Sequence, residues 1–158
     1  MVKFLLWTLF INLAYLTKET QQTNNTTDNI LCRGCGNDLL QADEIITKLS
    51  DLSLYTFNDT LFNRKEVVVQ LLRKDILFEF PVITSSHSTC LATGEWEEDE
   101  LWFPDYSWKP CFCSECGTFV GWMFEGISSI DQPEQFFGLI LTNIISENFT
   151  DSLLINAP

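Results

Sequence analysis

Basic side chains are scarce in this chain. Nine Lys and Arg stand against 22 Asp and Glu in 158 residues, a formal net charge of −13. Phosphate backbones are held by clustered Lys and Arg, so this balance argues against a nucleic-acid partner. It equally opposes attraction to anionic lipid headgroups, and describes a solvated, self-repelling surface. Histidine is scarcer still. His87 is the sole one, and its setting, Thr84-Ser85-Ser86-His87-Ser88, reads as exposed rather than catalytic. Beyond the first residues no apolar run reaches the about 20 residues that span a bilayer, so no membrane span is expected in the mature chain. No internal repeat is present apart from two short cysteine knuckles.

What is present begins with the N-terminus. Lys3 precedes an apolar run from Phe4 to Ala14, and Thr17-Lys18-Glu19-Thr20 then turns polar. That order is a secretory signal peptide. It is expected over residues 1–17, with cleavage between Ala14 and Gln21. Residues 18–29, rich in Thr, Asn and Gln, read as a flexible polar leader. Residues 30–147 then form one domain and 148–158 a tail. Asn-x-Thr sequons at Asn24, Asn25, Asn58 and Asn148 agree with a secreted, extracellular glycoprotein.

Composition suffices for one core: 46% of residues are hydrophobic and 13% aromatic. The pattern is mostly β. Val67 to Leu72 is β-branched and apolar, Arg73-Lys74-Asp75 reads as a turn, and Ile76 to Thr84 resumes as strand. Pro81 places that second strand at an edge or a bulge. Thr118 to Phe124 and Phe136 to Ile145 are further strands. Gln41 to Leu52 has apolar residues near helical spacing and fits either a short helix or a loop over the core. Many short strands and little helix predict an antiparallel β domain.

Four of the six cysteines form two knuckles of the same design, Cys32-Arg33-Gly34-Cys35-Gly36 and Cys113-Ser114-Glu115-Cys116-Gly117. A two-residue spacer lets both thiolates of a knuckle reach one ion, and two knuckles complete a tetrahedral four-cysteine zinc site with Zn–S of about 2.3 Å. Calcium and magnesium prefer oxygen ligands. Six cysteines in a secreted chain also fit three disulfides. A Cys-x-x-Cys bridge closes so small a loop that it contributes little constraint, which favours metal. Four thiolates leave no open coordination position, so the zinc is expected to be structural. Cys90 and Cys111 are then left to pair with each other in an oxidising compartment.

Between Leu101 and Phe124 lie Trp102, Trp108 and Trp122, with Phe124 two residues after the last. Spacing alone favours core packing for such residues. Three indoles so close together also suit a cage around a small flat or cationic ligand.

The segment Trp102-Phe103-Pro104-x-Tyr106-x-Trp108, then Cys113-x-x-Cys116, then Gly121-Trp122-x-Phe124, resembles the CULT domain family, to which the thalidomide-binding domain of cereblon belongs. Secreted members, with a signal peptide and a free-standing domain, look closer still. The likeness extends over roughly residues 30 to 145, through Val69-Gln70-Leu71, Phe78-Glu79 and Phe136-Phe137-Gly138-Leu139. The resemblance implies a β-tent, two antiparallel sheets pinned by the zinc and its four cysteines. It implies a cage walled by Trp102, Trp108 and Trp122 with Phe124 at its base, taking cyclic imides such as glutarimide. Backbone groups at Glu100 and Trp102 would hydrogen-bond the imide. Family members often carry His where this chain has Glu100, whose carboxylate accepts hydrogen bonds and does not donate them. The family's Asn-Pro-x-Gly hairpin is replaced here by the shorter Arg73-Lys74-Asp75. No ubiquitin-ligase partner is implied, because that role belongs to other domains.

The reading is therefore a non-enzymatic, zinc-stabilised binding module for a cyclic-imide-like or nucleoside-like ligand, or a modified peptide end. Two alternatives remain. One is a structural or protein-interaction domain with a tryptophan core. The other is a thiol oxidoreductase, related to the methionine sulfoxide reductase B fold, using Cys90 or Cys111. The acidic neighbours Glu95, Glu97, Glu98 and Asp99 disfavour the reactive thiolate that an oxidoreductase needs.

Overall fold

The computed structural model describes residues 27–98, 102–128 and 133–155, with side chains to 152. The expected signal peptide, most of the expected leader, Asn24, Asn25 and Glu100 lie outside the described residues. Eleven strands dominate the described chain. β1 (Asn29–Cys32), β2 (Asp38–Gln41) and β11 (Ile144–Ser146) form a small sheet in the order β11-β1-β2. The large sheet runs β4 (Tyr55–Leu61), β5 (Arg64–Arg73), β6 (Glu79–Ser85), β10 (Gln135–Ile140), β9 (Phe119–Gly126), β8 (Tyr106–Phe112), β7 (Leu91–Ala92), and β3 (Ile45–Ile46) adds to β6. The ladders are antiparallel. The mainly β class expected from the sequence, with two antiparallel sheets, is what forms.

The large sheet buries both faces. On β10, Phe137 and Leu139 enter one apolar cluster with Val67, Val69, Ile83 and the small sheet's Ile30, Leu39 and Ile144. Phe136 and Ile140, pointing the other way, join Leu72, Val82 and the tryptophans. Successive strand residues point to opposite faces, so a strand covered on both sides reads as an unbroken apolar run. That accounts for Phe136-Phe137-Gly138-Leu139-Ile140.

Several expectations are corrected. Of the two readings of Gln41 to Leu52, short helix or loop over the core, the α-helix does not form: a 3-10 turn (Ala42–Glu44) is followed by β3, because Ile45 and Ile46 pair with Ser85 and Thr84 of β6. The hairpin turn runs longer than Arg73-Lys74-Asp75, since Asp75 Oδ1 accepts the amides of Leu77 and Phe78 and holds them out of the strand. β6 is an interior strand, yet Pro81 faces β5 at Leu71 before the ladder to β10 begins at Val82, so no donor is missed. The apolar stretch to Ile145 breaks at a 3-10 turn (Leu141–Asn143), and β11 leaves for the small sheet. Beyond it the chain forms α1 (Glu147–Ile155). Ser146 Oγ caps this helix by accepting the Phe149 amide, and the Asp28 carboxylate accepts from the Asn148 amide at its positive end.

Candidate metal centre and aromatic site

The two knuckles are built alike. Cys32 ends β1; its carbonyl accepts the Gly36 amide at 2.8 Å and its amide donates to the Asn37 carbonyl at 2.8 Å. Cys113 follows β8; its carbonyl accepts the Gly117 amide at 3.0 Å and its amide donates to the Thr118 carbonyl at 2.8 Å. Closing each loop requires a left-handed residue, supplied by Gly36 (φ 80°) and Gly117 (φ 68°). This is the physical reason for the glycine after each second cysteine.

The four sulfurs converge, all within 4.8 Å of one another. Cys32 and Cys116 Sγ are 3.7 Å apart, and Cys35 and Cys113 Sγ 3.6 Å. A tetrahedron with metal–sulfur bonds of about 2.3 Å has edges of about 3.8 Å, so the donor set fits a metal ion. Cys32 and Cys113 are buried, while Cys35 and Cys116 face solvent. A Cβ at Gly34 would stand 2.8 Å from Thr118 Oγ1 and 3.5–3.6 Å from two of the sulfurs, so the knuckle's spacer is tightly fitted.

Without a cation Cys32, Cys35 and Cys116 titrate unequally. Hydrogen bonding from the Thr118 side chain and backbone brings Cys116 down to about 6. The backbone bond at Asn37 is the strongest influence on Cys35 and lowers it, but Cys116, burial and the other two sulfurs together push it up to about 12. Burial raises Cys32. A dication reverses this competition, because metal ligation requires thiolates.

Cys90 and Cys111, both buried, lie with sulfurs at bonding distance, 2.09 Å. The bridge ties the segment before β7 to β8 across 21 residues. A loop of that length corresponds to about 3 kcal/mol in the chain-entropy model. Replacing both cysteines with alanine is therefore expected to lower urea-unfolding stability by about that amount with the same baseline spectrum. Equal midpoints for both proteins would show that the bridge constrains nothing.

Trp102, Trp108, Trp122 and Phe124 meet in one cluster on the far face of the large sheet, 3%, 7%, 1% and 1% exposed. β8 and β9 set this: Trp108 stands opposite Phe124, and Trp122 opposite Pro110. Trp102 comes from the turn before β8 and packs edge to face on Trp122, centroids 4.6 Å apart. Phe124 stacks on Phe136 at 4.9 Å, with Phe103 edge-on to both.

Trp102 is strained. Its φ is 48° and that of Asp105 is 69°, left-handed values that cost about 1–3 kcal/mol for a non-glycine residue. A relay of hydrogen bonds holds it there. The buried Gln70 side chain accepts the Ser50 amide and donates to the Lys48 carbonyl. The Ser50 hydroxyl then donates to the Trp102 carbonyl. The Trp102 indole N–H donates to the Arg73 carbonyl at 2.8 Å.

Residues the sequence reading passed over complete the cluster. Phe80 packs edge-on to Trp122 at 5.3 Å, and Lys74 Nζ stands 4.5 Å from the Trp108 ring centroid. Lys74 lay in a segment read only as a turn, and nothing local marks its neighbour on β8. On the opposite flank, Lys48 bonds Tyr106 and Glu134, and Tyr106 packs on Phe136. The Tyr106 hydroxyl, then Lys48, hold the Glu134 carboxyl below its usual range. No known family model matches the chain.

Proposed function

We propose that this chain is a secreted, non-enzymatic binding module of the CULT type. In this reading one zinc on Cys32, Cys35, Cys113 and Cys116 pins the scaffold, and the site at Trp102, Trp108 and Trp122, based on Phe124, takes a small cyclic-imide-like or nucleoside-like ligand, or a modified peptide end. The observation that carries it is the strained Trp102 brought against Trp122. Strained backbone gathers at functional sites, and a core indole needs none. Zinc is favoured because four sulfur donors at tetrahedral spacing suit it better than oxygen-seeking ions. The bonded Cys90 and Cys111 favour an oxidising compartment.

A ligand lying on Trp108 displaces Lys74, which now occupies that ring face. Titrating zinc-loaded protein with a glutarimide-bearing compound is expected to quench tryptophan fluorescence saturably. Trp122→Phe keeps an aromatic ring at that position and, in protein shown to remain folded, is expected to weaken binding about tenfold or more, the scale of a lost buried contact. An exposed cation–π contact is worth about 0.5–1 kcal/mol, so Lys74→Ala is expected to tighten binding by about two- to fivefold.

The burial of Trp102 and Trp122 specifically favours a second reading, a structural or interaction domain with an aromatic core. A flat titration of the folded protein with imide, with nucleoside and with a peptide ending in a cyclic imide would overturn the first reading in favour of the second.

A further inference from the structure

Among the described residues the large sheet ends at β4, seven residues long and exposed from Tyr55 to Thr60. An edge strand presents unpaired backbone groups to any other chain, and proteins guard such edges with Lys, Pro, bulges or short length. β4 has little of this protection. Its sequence, Tyr-Thr-Phe-Asn-Asp-Thr-Leu, contains neither Lys nor Pro, and its one charge is Asp59. A register shift disturbs only its last residues, after Asp59. The sheet's other end, β7, is two residues long and needs no guard.

The unguarded edge is also apolar. Phe57 stands opposite Val69 on the face that leads into the core, yet is 39% exposed, and Tyr55 beside it is 63% exposed. Their rings pack together at 5.8 Å. Strand geometry and exposed aromatics together favour pairing with a second copy of this chain.

Asn58-Asp59-Thr60, a glycosylation sequon, lies within this strand. Asn58 pairs with Val68 and so points to the face opposite Phe57. Its side chain is exposed, with Nδ2 donating to Glu66 Oε2 at 2.9 Å. A glycan there leaves the ladder to β5 intact and places a bulky hydrated group over the free edge.

We infer that Asn58 is N-glycosylated and that its glycan is the guard of the β4 edge, keeping the protein monomeric. The inference rests on the secretory routing proposed above. It is tested with the full chain expressed in mammalian cells. Enzymatic deglycosylation in heavy-oxygen water and peptide mapping read occupancy at Asn58, and light scattering after gel filtration reads mass. Occupied Asn58 and a monomer are expected for the wild type. Thr60→Ser retains the glycan. Asn58→Gln loses it and shifts to dimers or larger species, and adding Phe57→Lys returns the monomer. A secreted protein with Asn58 bare, or an Asn58→Gln protein as monomeric as the wild type, overturns the inference. Retention of the chain inside the cell without any glycan overturns the routing and the inference together, which separates the two failures.

Discussion

Stripping the proposed zinc from the purified protein is expected to destabilise it severely. The four sulfurs come from two knuckles 78 to 84 residues apart in sequence, one ending β1 of the small sheet and one following β8 of the large sheet. The proposed zinc is thus a bond between the sheets. Structural zinc in finger peptides contributes about 10–16 kcal/mol of apparent binding free energy at neutral pH, comparable with the about 5–15 kcal/mol by which a whole domain is stable. The apo state also leaves four thiols crowded within 4.8 Å. A strong chelator, or Cys113→Ser, is expected to lower Tm by more than about 15 °C, taking about 5 kcal/mol or more lost and about 3 °C per kcal/mol for a domain of this size.

Elemental analysis should find one zinc per chain. Because thiolates must form, metal uptake releases protons, and the Tm gap between loaded and stripped protein should narrow as pH falls. Equal Tm with and without chelator, together with non-reducing peptide maps joining Cys32 to Cys116 and Cys35 to Cys113, would replace the zinc with two disulfides.

Gly121→Ala is the second large effect, and it should be near-fatal to the fold. Gly121 sits on β9 where the pairing with β8 shifts register beyond Cys111, and its φ is 152°. A Cβ there would stand 2.0 Å from the Gly138 carbonyl oxygen and 3.0 Å from Leu139 Cα. Those atoms are backbone of β10, a strand bonded on both sides to β6 and β9, so they cannot yield as a side chain could. Ordinary overpacking costs about 1–3 kcal/mol. A backbone collision should exceed about 4 kcal/mol, the exceptional end of single substitutions.

Gly138→Ala is the control. Its Cβ would meet Phe124 Cε2 at 3.1 Å and Val82 Cγ1 at 3.3 Å. Both belong to side chains that can shift by tenths of an ångström, so a loss of about 1–2 kcal/mol is expected. Urea unfolding of the metal-loaded proteins ranks the three. A Gly121→Ala protein within about 1 kcal/mol of wild type, on the order of a routine surface change, would contradict the close approach of β9 and β10. The substitution adjoins Trp122, so any folded fraction should also lose the proposed ligand response.

What was legible in the sequence was local. A Cys-x-x-Cys-Gly knuckle states its geometry within five residues, because the spacer and the left-handed glycine are both short-range requirements. The strand over Phe119 to Phe124 and the hairpin around β5 and β6 showed in β-branched and aromatic runs. β4 did not show, since Asn58, Asp59 and Thr60 look like loop and become strand only by pairing with β5. Local spacing after Gln41 left helix and loop both open, and the strand that forms there was hidden for the same reason: Ile45 and Ile46 pair with partners about 40 residues away. Long-range pairing overrides local periodicity wherever the partner supplies the hydrogen bonds.

Residue order alone settles the acidity that argues against polyanionic partners, the two thiol knuckles, and the count of aromatics available for one cluster. It takes the folded chain to show that Cys32 and Cys35 meet Cys113 and Cys116, that Cys90 meets Cys111, and that Lys74 and Phe80 border the tryptophans. Folding also places Trp102 in left-handed backbone, held through Ser50 and Gln70, and leaves β4 as the sheet's edge among the described residues. The division follows from range. Charge, turn chemistry and thiol spacing are properties of neighbouring residues, whereas a site built by three-dimensional packing depends on which strands end up adjacent.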